Sequence, residues 1–211
     1  MSGGPTEDTD GDAPIPARVA VTGTPGTGKS TATALLEGEY DVIHLNDRIK
    51  GNDALWSERD ADRDTLVADL DAVRDHLGDW SGVLDSHLAH RFDVDRVVVL
   101  RCRPETIETR LRERGESDAT AEENAEPGEP SRALARKARE NAESEALDVI
   151  LSEAVAEHGV ENVYEVDTTD RDPAAVADAI RAAIEGEREP SAGSVDFMEY
   201  ISDGRDEGGE R

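Results

Sequence analysis

The sequence predicts an α/β fold, in which helices cover both faces of a parallel sheet. Two observations lead to this prediction. Apolar runs of strand length alternate with segments whose apolar residues recur at the spacing of an amphipathic helix. In addition, the first apolar run leads into a glycine-rich loop and then into a helix start. Alternating strands and helices build parallel sheets, because each crossover helix returns the chain to the same end of the sheet.

Five strands are expected, at residues 18–22, 41–45, 82–85, 96–102 and 162–166. A short helix should follow the first strand, and longer helices are expected at four places: around Leu66, Leu70, Val73 and Leu77; from Pro104; from Ser131 through Val155; and from Pro173 to Ile184. Gly78 and Gly115 are expected to end two of them, because glycine readily adopts the left-handed conformation of helix C-termini.

The 211 residues are expected to form one domain, residues 17–186, between two tails. Residues 1–16 and 187–211 are rich in charged residues, glycine and proline, so both are predicted to be disordered acidic tails. An apolar island at 195–201 interrupts the second tail. It is either a docking segment for a partner or a stray cluster.

The glycine-rich loop has the spacing of a phosphate-binding loop. Residues 23–30 read Gly-Thr-Pro-Gly-Thr-Gly-Lys-Ser, which fits G-x-x-x-x-G-K-[ST]. Gly26 and Gly28 let successive backbone N–H groups point at one phosphate, and the helix N-terminus adds positive potential. Lys29 is expected to reach the β- and γ-phosphates of ATP, and Ser30 to offer its hydroxyl to Mg²⁺. The loop indicates a nucleoside triphosphate and leaves the acceptor open.

Composition excludes several classes of function. Acidic residues outnumber basic ones by 50 to 23, and the net charge of −27 repels phosphates, so direct binding to duplex DNA is not expected. No apolar stretch approaches the roughly 18 residues of a membrane span, and no signal peptide is visible, which predicts a cytoplasmic protein without a membrane partner. The single cysteine, Cys102, ends an apolar run and is expected to be a buried thiol.

Two polar residues follow the third strand closely. Asp85 ends that strand, where phosphate-loop enzymes place the aspartate that serves Mg²⁺. The alternative is a capping or turn aspartate. His87 would face the same way in an extended chain and orient a water or an acceptor phosphate, unless it is a structural histidine. His90 has only proximity in its favour.

Basic residues gather on both sides of an acidic segment. They are Arg101, Arg103, Arg110, Arg112 and Arg114 before it and Arg132, Arg136, Lys137 and Arg139 after it. Two basic stretches flanking a mobile polar insert indicate a lid that closes over phosphates, for which arginine is well suited. Ordinary surface pairing with nearby glutamates is the alternative.

Four stretches together resemble the adenylate kinase isoenzyme 6 family, the coilin-interacting nuclear ATPase class: residues 23–30, 85–90, 110–115 and 137–145. The resemblance runs from about Arg18 to Ile184 and implies a nucleoside monophosphate kinase fold with a small lid. It also implies ATP:AMP phosphotransfer, ATP hydrolysis and a role in small ribosomal subunit (16S rRNA) maturation, through ribosomal protein uS11 and pre-small-subunit particles.

The resemblance also assigns residues by position. It implies that ATP is held by Gly26, Gly28, Lys29, Ser30, Thr31 and the lid arginine Arg114. Asp85 and His87 would form the family's modified Walker B pair, which with Lys29 makes the catalytic set. The monophosphate-binding segment would span about 46–69 and the lid about 113–131. The acidic insert at 120–130 and both tails depart from the family.

The main functional expectation is transfer of the γ-phosphate of Mg-ATP to AMP or a related monophosphate. The alternative is an ATP-hydrolysing ribosome assembly factor with incidental kinase activity, because an acidic protein can mimic the RNA that a basic ribosomal protein binds. A small-molecule kinase of the shikimate or gluconate type shares the loop but leaves residues 85–87 and 140–145 unexplained.

The charge balance predicts a dependence on salt. Many acidic residues and only three lysines indicate a salt-accumulating cytoplasm, such as that of certain archaea. Molar salt shortens the Debye length to about 3 Å and screens self-repulsion. We therefore expect the Tm, followed by circular dichroism, to rise as KCl increases from about 0.1 M to about 3 M. A Tm that stays constant over this range would contradict the prediction.

Overall fold

The computed structural model describes residues 18–60, 65–121 and 129–206. The tail predicted for residues 1–16 lies outside these ranges, as does the centre of the predicted lid, residues 122–128. Within the described ranges, no helix is long and apolar enough to cross a membrane.

The described residues form seven strands and eight α-helices, together with short 3₁₀ turns. The strands are β1 (Arg18–Thr22), β2 (Val42–His44), β3 (Trp56–Asp60), β4 (Thr65–Ala68), β5 (Gly82–Asp85), β6 (Arg96–Arg101) and β7 (Val163–Asp167). The α-helices are α1 (Lys29–Thr33), α2 (Leu45–Lys50), α3 (Leu70–Leu77), α4 (Pro104–Ala121), α5 (Glu129–Ala146), α6 (Val149–His158), α7 (Pro173–Ile184) and α8 (Glu199–Asp206).

A five-stranded parallel sheet forms the centre and confirms the predicted α/β class. Its order is β2-β5-β1-β6-β7, and every neighbouring pair is parallel. Because β1 is the central strand, the glycine-rich loop that follows it opens at the middle of the carboxyl edge. Ligands of open α/β sheets bind at this edge.

Side-chain alternation along the strands creates two cores. On one face, Ala20 and Leu84 pack with apolar residues of α2, α3 and α6. On the other face, Val19 and Val21 pack with α1 and α7. Helices therefore cover both faces, as predicted, because each strand carries apolar residues on both sides.

The segment after β2 is more ordered than its polar sequence predicts. It contains α2, a 3₁₀ turn and an antiparallel hairpin of β3 and β4. Leu66, expected in a helix, lies in β4 instead, and the helix begins only at Leu70. The reason is Asp69, whose carboxylate accepts hydrogen bonds from the N–H groups two and three residues later and fixes the helix start. Gly78 follows the helix with φ 57°, as predicted.

Gly115 does not end α4, contrary to the prediction, because the helix continues to Ala121. A Cβ added at Gly115 would lie 2.3 Å from Leu134 Cδ2 of α5. The absence of a side chain therefore lets the two helices approach each other closely. The glycine serves packing and not termination.

Arg101, the last residue of β6, is buried with 1% of its side chain exposed. Its guanidinium donates to Glu145 Oε1 at 2.7 Å, to Glu165 Oε1 at 2.5 Å and to the carboxylate of Asp148. Asp148 has φ 52° and divides the single helix expected through Val155 into α5 and α6. The prediction that Arg101 belongs with the lid arginines is therefore wrong, because three carboxylates hold its charge inside the domain.

The segment from residue 187 packs on the domain, although the sequence predicts a disordered tail there. The Ser191 N–H donates to the Val163 carbonyl at 3.0 Å, and the Ser194 N–H donates to Glu165 Oε2 at 2.6 Å. The ring of Phe197 lies 5.5 Å from the Arg101 guanidinium. A buried carboxylate needs donors, and this segment supplies them. The apolar island at 195–201 therefore contacts its own chain.

Replacing Arg101 tests this cluster. Arg101→Met keeps an unbranched side chain but leaves Glu145 and Glu165 buried without their cation. We expect the free energy of unfolding, measured by chemical denaturation in KCl, to fall by about 3–5 kcal/mol. Arg181→Met is the control, because its ion pairs lie at the surface and should contribute clearly less. Equal losses in the two variants would contradict a special role of the buried arginine.

Candidate functional site

Three neighbouring strands end in polar residues at the carboxyl edge of the sheet. They are β2 with His44, β5 with Asp85 and β1 with Thr22. His44 and Asp85 lie opposite each other in the β2–β5 register. The edge therefore brings a histidine and a carboxylate beside the start of the glycine-rich loop.

The loop has the backbone that its glycines predict. Gly23, Gly26 and Gly28 have φ values of 136°, 99° and 90°. A Cβ at Gly23 would lie 2.3 Å from the Leu100 carbonyl oxygen, so no other residue fits without a shift. Helix α1 begins directly after Gly28. The loop thus curls around its own centre and leads into a helix N-terminus.

Lys29 lies inside this curl. Its side chain is buried, and Nζ donates to the carbonyl oxygens of Gly23 at 2.7 Å and Thr24 at 3.0 Å. Burial lowers the pKa of Lys29 to about 8, with a small further lowering from Arg114, although Asp85 and Glu145 act in the opposite direction. The ammonium is therefore held by neutral oxygens that a stronger acceptor can replace.

Ser30 and Thr31 follow Lys29 in the first turn of α1, and both are exposed. Their backbone belongs to the helix N-terminus, so their N–H groups are available to an anion at the loop. The Ser30 hydroxyl donates no hydrogen bond within the described ranges of the chain. Both residues are thus placed where the sequence motif requires them.

Glu145 joins the loop to the rest of the domain. Its Oε2 accepts from Thr24 Oγ1 at 2.5 Å, while Oε1 accepts from Arg101 Nε and from the Cys102 N–H. Cys102 is fully buried, and burial raises the pKa of its thiol, as expected for a structural cysteine. No role was predicted for Thr24 or Glu145, because the hydrogen bond between them joins residues that are 121 positions apart in the sequence.

The two carboxylate oxygens of Asp85 have different surroundings. The residue is 2% exposed; His44 Nδ1 lies 2.8 Å and Thr33 Oγ1 3.3 Å from its Oδ2. Oδ1 is buried and has no hydrogen-bond partner among the described residues. A buried carboxylate oxygen of this kind fits a hard cation such as Mg²⁺, for which the Ser30 hydroxyl offers a second oxygen. Among the described residues, no backbone N–H donates to Asp85, so the capping alternative has no support.

His87 lies near these groups but in a turn. The strand ends at Asp85, and the next residues do not continue its extended conformation. Burial lowers the pKa of His87 to about 4, and the positive charges of Lys29, His90 and Arg91 lower it further. His87 is therefore neutral near pH 7 and makes no side-chain hydrogen bond within the described part of the chain.

His90, which only proximity favoured as a site residue, forms contacts between elements of the fold. It is buried, with Nδ1 3.0 Å from Thr22 Oγ1 and Nε2 2.9 Å from Glu153 Oε2. It thus connects β1 to α6.

The predicted arginine cluster divides into two groups. Arg112 and Arg139 form surface ion pairs with glutamates one helical turn away. This is the surface pairing that was the alternative to a role in the lid. Arg110 donates to the Gly26 carbonyl at 3.4 Å and so touches the loop. Arg114 is exposed on α4, and its charge acts on Lys29. The structure therefore brings Lys29, Asp85, His87 and Arg114 to one region.

His44 was not among the residues that the sequence predicted at this edge of the sheet. Its Nδ1 faces Asp85 Oδ2, and its Nε2 lies 3.0 Å from Glu37 Oε1. Burial alone would lower the pKa of His44, but the hydrogen bonds with Glu37 and Asp85 raise it overall. The one signal in the sequence is its position at the end of an apolar run, and its partner becomes visible only once β2 and β5 are known to be neighbours.

Comparisons with known proteins agree on a family. Residues 19–148 match the AAA domain family. Proteins named "Putative adenylate kinase" are similar over 87% of this chain: 57% identical in Natronomonas pharaonis and 55% in Halobacterium salinarum, each over 99% of its own length, and 37% in Methanothermobacter thermautotrophicus over 98%.

A solved structure, deoxyadenosine kinase from M. mycoides with bound dATP, aligns with a TM-score of 0.44 at 14% identity over 78% of this chain and 97% of that one. This likeness is too distant to support a functional comparison. The sequence matches are much stronger, and they cover the loop and the edge of the sheet around it. The chain therefore belongs to the AAA domain family and, within it, to the group of archaeal proteins named "Putative adenylate kinase".

Proposed function

We propose that this protein is a nucleoside monophosphate kinase that transfers the γ-phosphoryl group of ATP to AMP or a related monophosphate. One observation carries the proposal: a buried lysine within a glycine loop lies at the same edge of the sheet as a buried carboxylate oxygen that has no hydrogen-bond partner in the described part of the chain. The names of the archaeal relatives support the same reaction. We further propose that ATP and Mg²⁺ are bound in the cytoplasm.

The loop would bind the triphosphate through its backbone. N–H groups from Gly26 through Thr31 would point at phosphate oxygens, and the α1 N-terminus would add positive potential. Lys29 would exchange its two carbonyl acceptors for the β- and γ-phosphates, whose negative charge favours the protonated amine. Binding would thus raise the pKa of Lys29, which burial lowers to about 8.

The metal would be held by oxygen atoms. Ser30 would supply its hydroxyl, and Asp85 would supply Oδ1. In many phosphate-loop enzymes the corresponding aspartate acts on the metal through a water molecule. A bound Mg²⁺ would neutralise charge that develops on the phosphates. Lys29 would stabilise the same charge with its ammonium, so that both nucleotides need only be aligned and no covalent intermediate is required.

The remaining predicted parts keep their assignments as proposals. His87, neutral near pH 7, would orient the acceptor phosphate or a water molecule. Arg114 would contact the nucleotide from the lid, at about 113–131. The segment at about 46–69 would bind the monophosphate, since α2 and the hairpin of β3 and β4 directly follow the end of β2 at the same edge of the sheet.

A second proposal is an ATP-hydrolysing ribosome assembly factor of the adenylate kinase isoenzyme 6 class, acting on ribosomal protein uS11 and pre-small-subunit particles. Its support is the family resemblance and the net charge of −27, which suits a basic protein partner. The apolar island at 195–201 has no place in this scheme, because Phe197 already contacts Arg101.

Product analysis separates the two proposals. Purified protein in KCl is incubated with Mg-ATP, with and without AMP. For a kinase, we expect ADP formation to rise steeply with AMP, with two ADP produced for each AMP consumed. ADP and free phosphate formed regardless of AMP would favour the hydrolysing assembly factor.

Lys29→Met tests the role of the loop. We expect kcat to fall at least about a hundredfold, because a preorganised positive group is removed from the transferred phosphate. Arg181→Met is the control, since its side chain pairs with Glu39 and Asp178 at the surface and with no residue of the loop within the described ranges. Substantial activity in a clean preparation of the folded Lys29→Met protein would refute the assignment.

A further inference from the structure

We propose that His44 is a positioning residue of the metal site: it holds one oxygen of Asp85 and thereby leaves the other oxygen to the Mg²⁺ ion. The inference rests on the proposed function, because it needs a metal at Asp85. His44 would touch neither the metal nor the nucleotide. Its effect would be transmitted through the Asp85 carboxylate.

The two oxygens of the Asp85 carboxylate have unequal environments. A carboxylate is symmetric, and rotation about its terminal bond exchanges Oδ1 and Oδ2. Here both neighbouring donors lie on one side, with His44 Nδ1 2.8 Å and Thr33 Oγ1 3.3 Å from Oδ2. Oδ1 is buried and has no partner within the described ranges. The hydrogen bonds thus select which oxygen remains available.

The second nitrogen of the His44 imidazole ring also has a partner. His44 Nε2 lies 3.0 Å from Glu37 Oε1, so each ring nitrogen faces a carboxylate. A ring flip or rotation would break both contacts. Glu37 directly follows the 3₁₀ turn that extends α1, the helix beginning at Lys29. The series Glu37, His44 and Asp85 therefore connects the end of the loop's helix to the two strands beside it.

The burial of Asp85 determines how strongly the loss of His44 would affect the metal site. Asp85 is 2% exposed, so bulk water offers little competition for its oxygens. Without His44, the carboxylate would be free to turn Oδ1 towards Thr33 or to share its charge with Lys29. Groups that orient a ligating carboxylate typically change metal affinity by about 10–100-fold when removed. A surface ion pair that merely stabilises the fold would have no selective effect on the metal.

The experiment measures ATP binding directly, by isothermal titration, in EDTA and over a series of Mg²⁺ concentrations. The proteins compared are the wild type, His44→Leu, and the control His76→Leu, which changes an exposed histidine on α3. For His44→Leu, we expect the Mg²⁺ concentration for half-maximal enhancement of binding to rise about 10–100-fold. Its affinity for ATP in EDTA should change by less than about twofold, and His76→Leu should match the wild type.

Other outcomes have definite meanings. Unchanged Mg²⁺ dependence in His44→Leu, or an equal loss of affinity with and without Mg²⁺, would overturn the positioning role. If His44→Leu does not fold, His44→Phe is measured in the same way and with the same expectation, because it keeps a flat ring but has no ring nitrogen to contact Asp85. A wild-type protein that binds ATP equally well in EDTA and Mg²⁺ would overturn the proposed function itself.

Discussion

The guanidinium of Arg101 is the contact on which the rest of the arrangement depends. It gathers carboxylates from β7, from the end of α5 and from the break before α6, none of which is near it in sequence. Buried ion pairs add little net stability, but the loss of one partner leaves the others uncompensated. The cluster therefore fixes how α5 and β7 sit relative to β6. Through Glu145 it also reaches Thr24 in the glycine-rich loop.

This link explains the electrostatics of the loop. Lys29 is buried, and burial disfavours its charge. Asp85 and Glu145 counter this effect from two sides, although neither forms an ion pair with Lys29 among the described residues. The amine is thus kept ready for an anion and is not neutralised by a fixed partner. Glu145 can serve this purpose because Arg101 holds it in place.

Local patterns made much of the fold predictable. Apolar runs identified the five sheet strands, and the motif containing Lys29 lies within one short stretch. Asp85 was found because it directly ends a strand. The contact between His44 and Asp85 was not predicted, because it depends on β2 and β5 being neighbours. Arg101 was misassigned because the sequence does not show which arginines point inward. The packing beyond residue 187 was not predicted, because the sequence does not show that Glu165 is buried within β7 and needs hydrogen-bond donors there.

The packed C-terminal segment has a consequence for how the protein is made. Glu165 accepts hydrogen bonds from the N–H groups of Ser194 and Val195, and the ring of Phe197 packs on the Arg101 guanidinium. While the chain is being synthesised, the sheet can assemble once β7 has left the ribosome, but these two charged groups stay open to water. Closure of the domain around them therefore waits until the segment at 194–197 has also left the ribosome. In this order of synthesis, the sheet forms before Glu165 and Arg101 acquire their last partners.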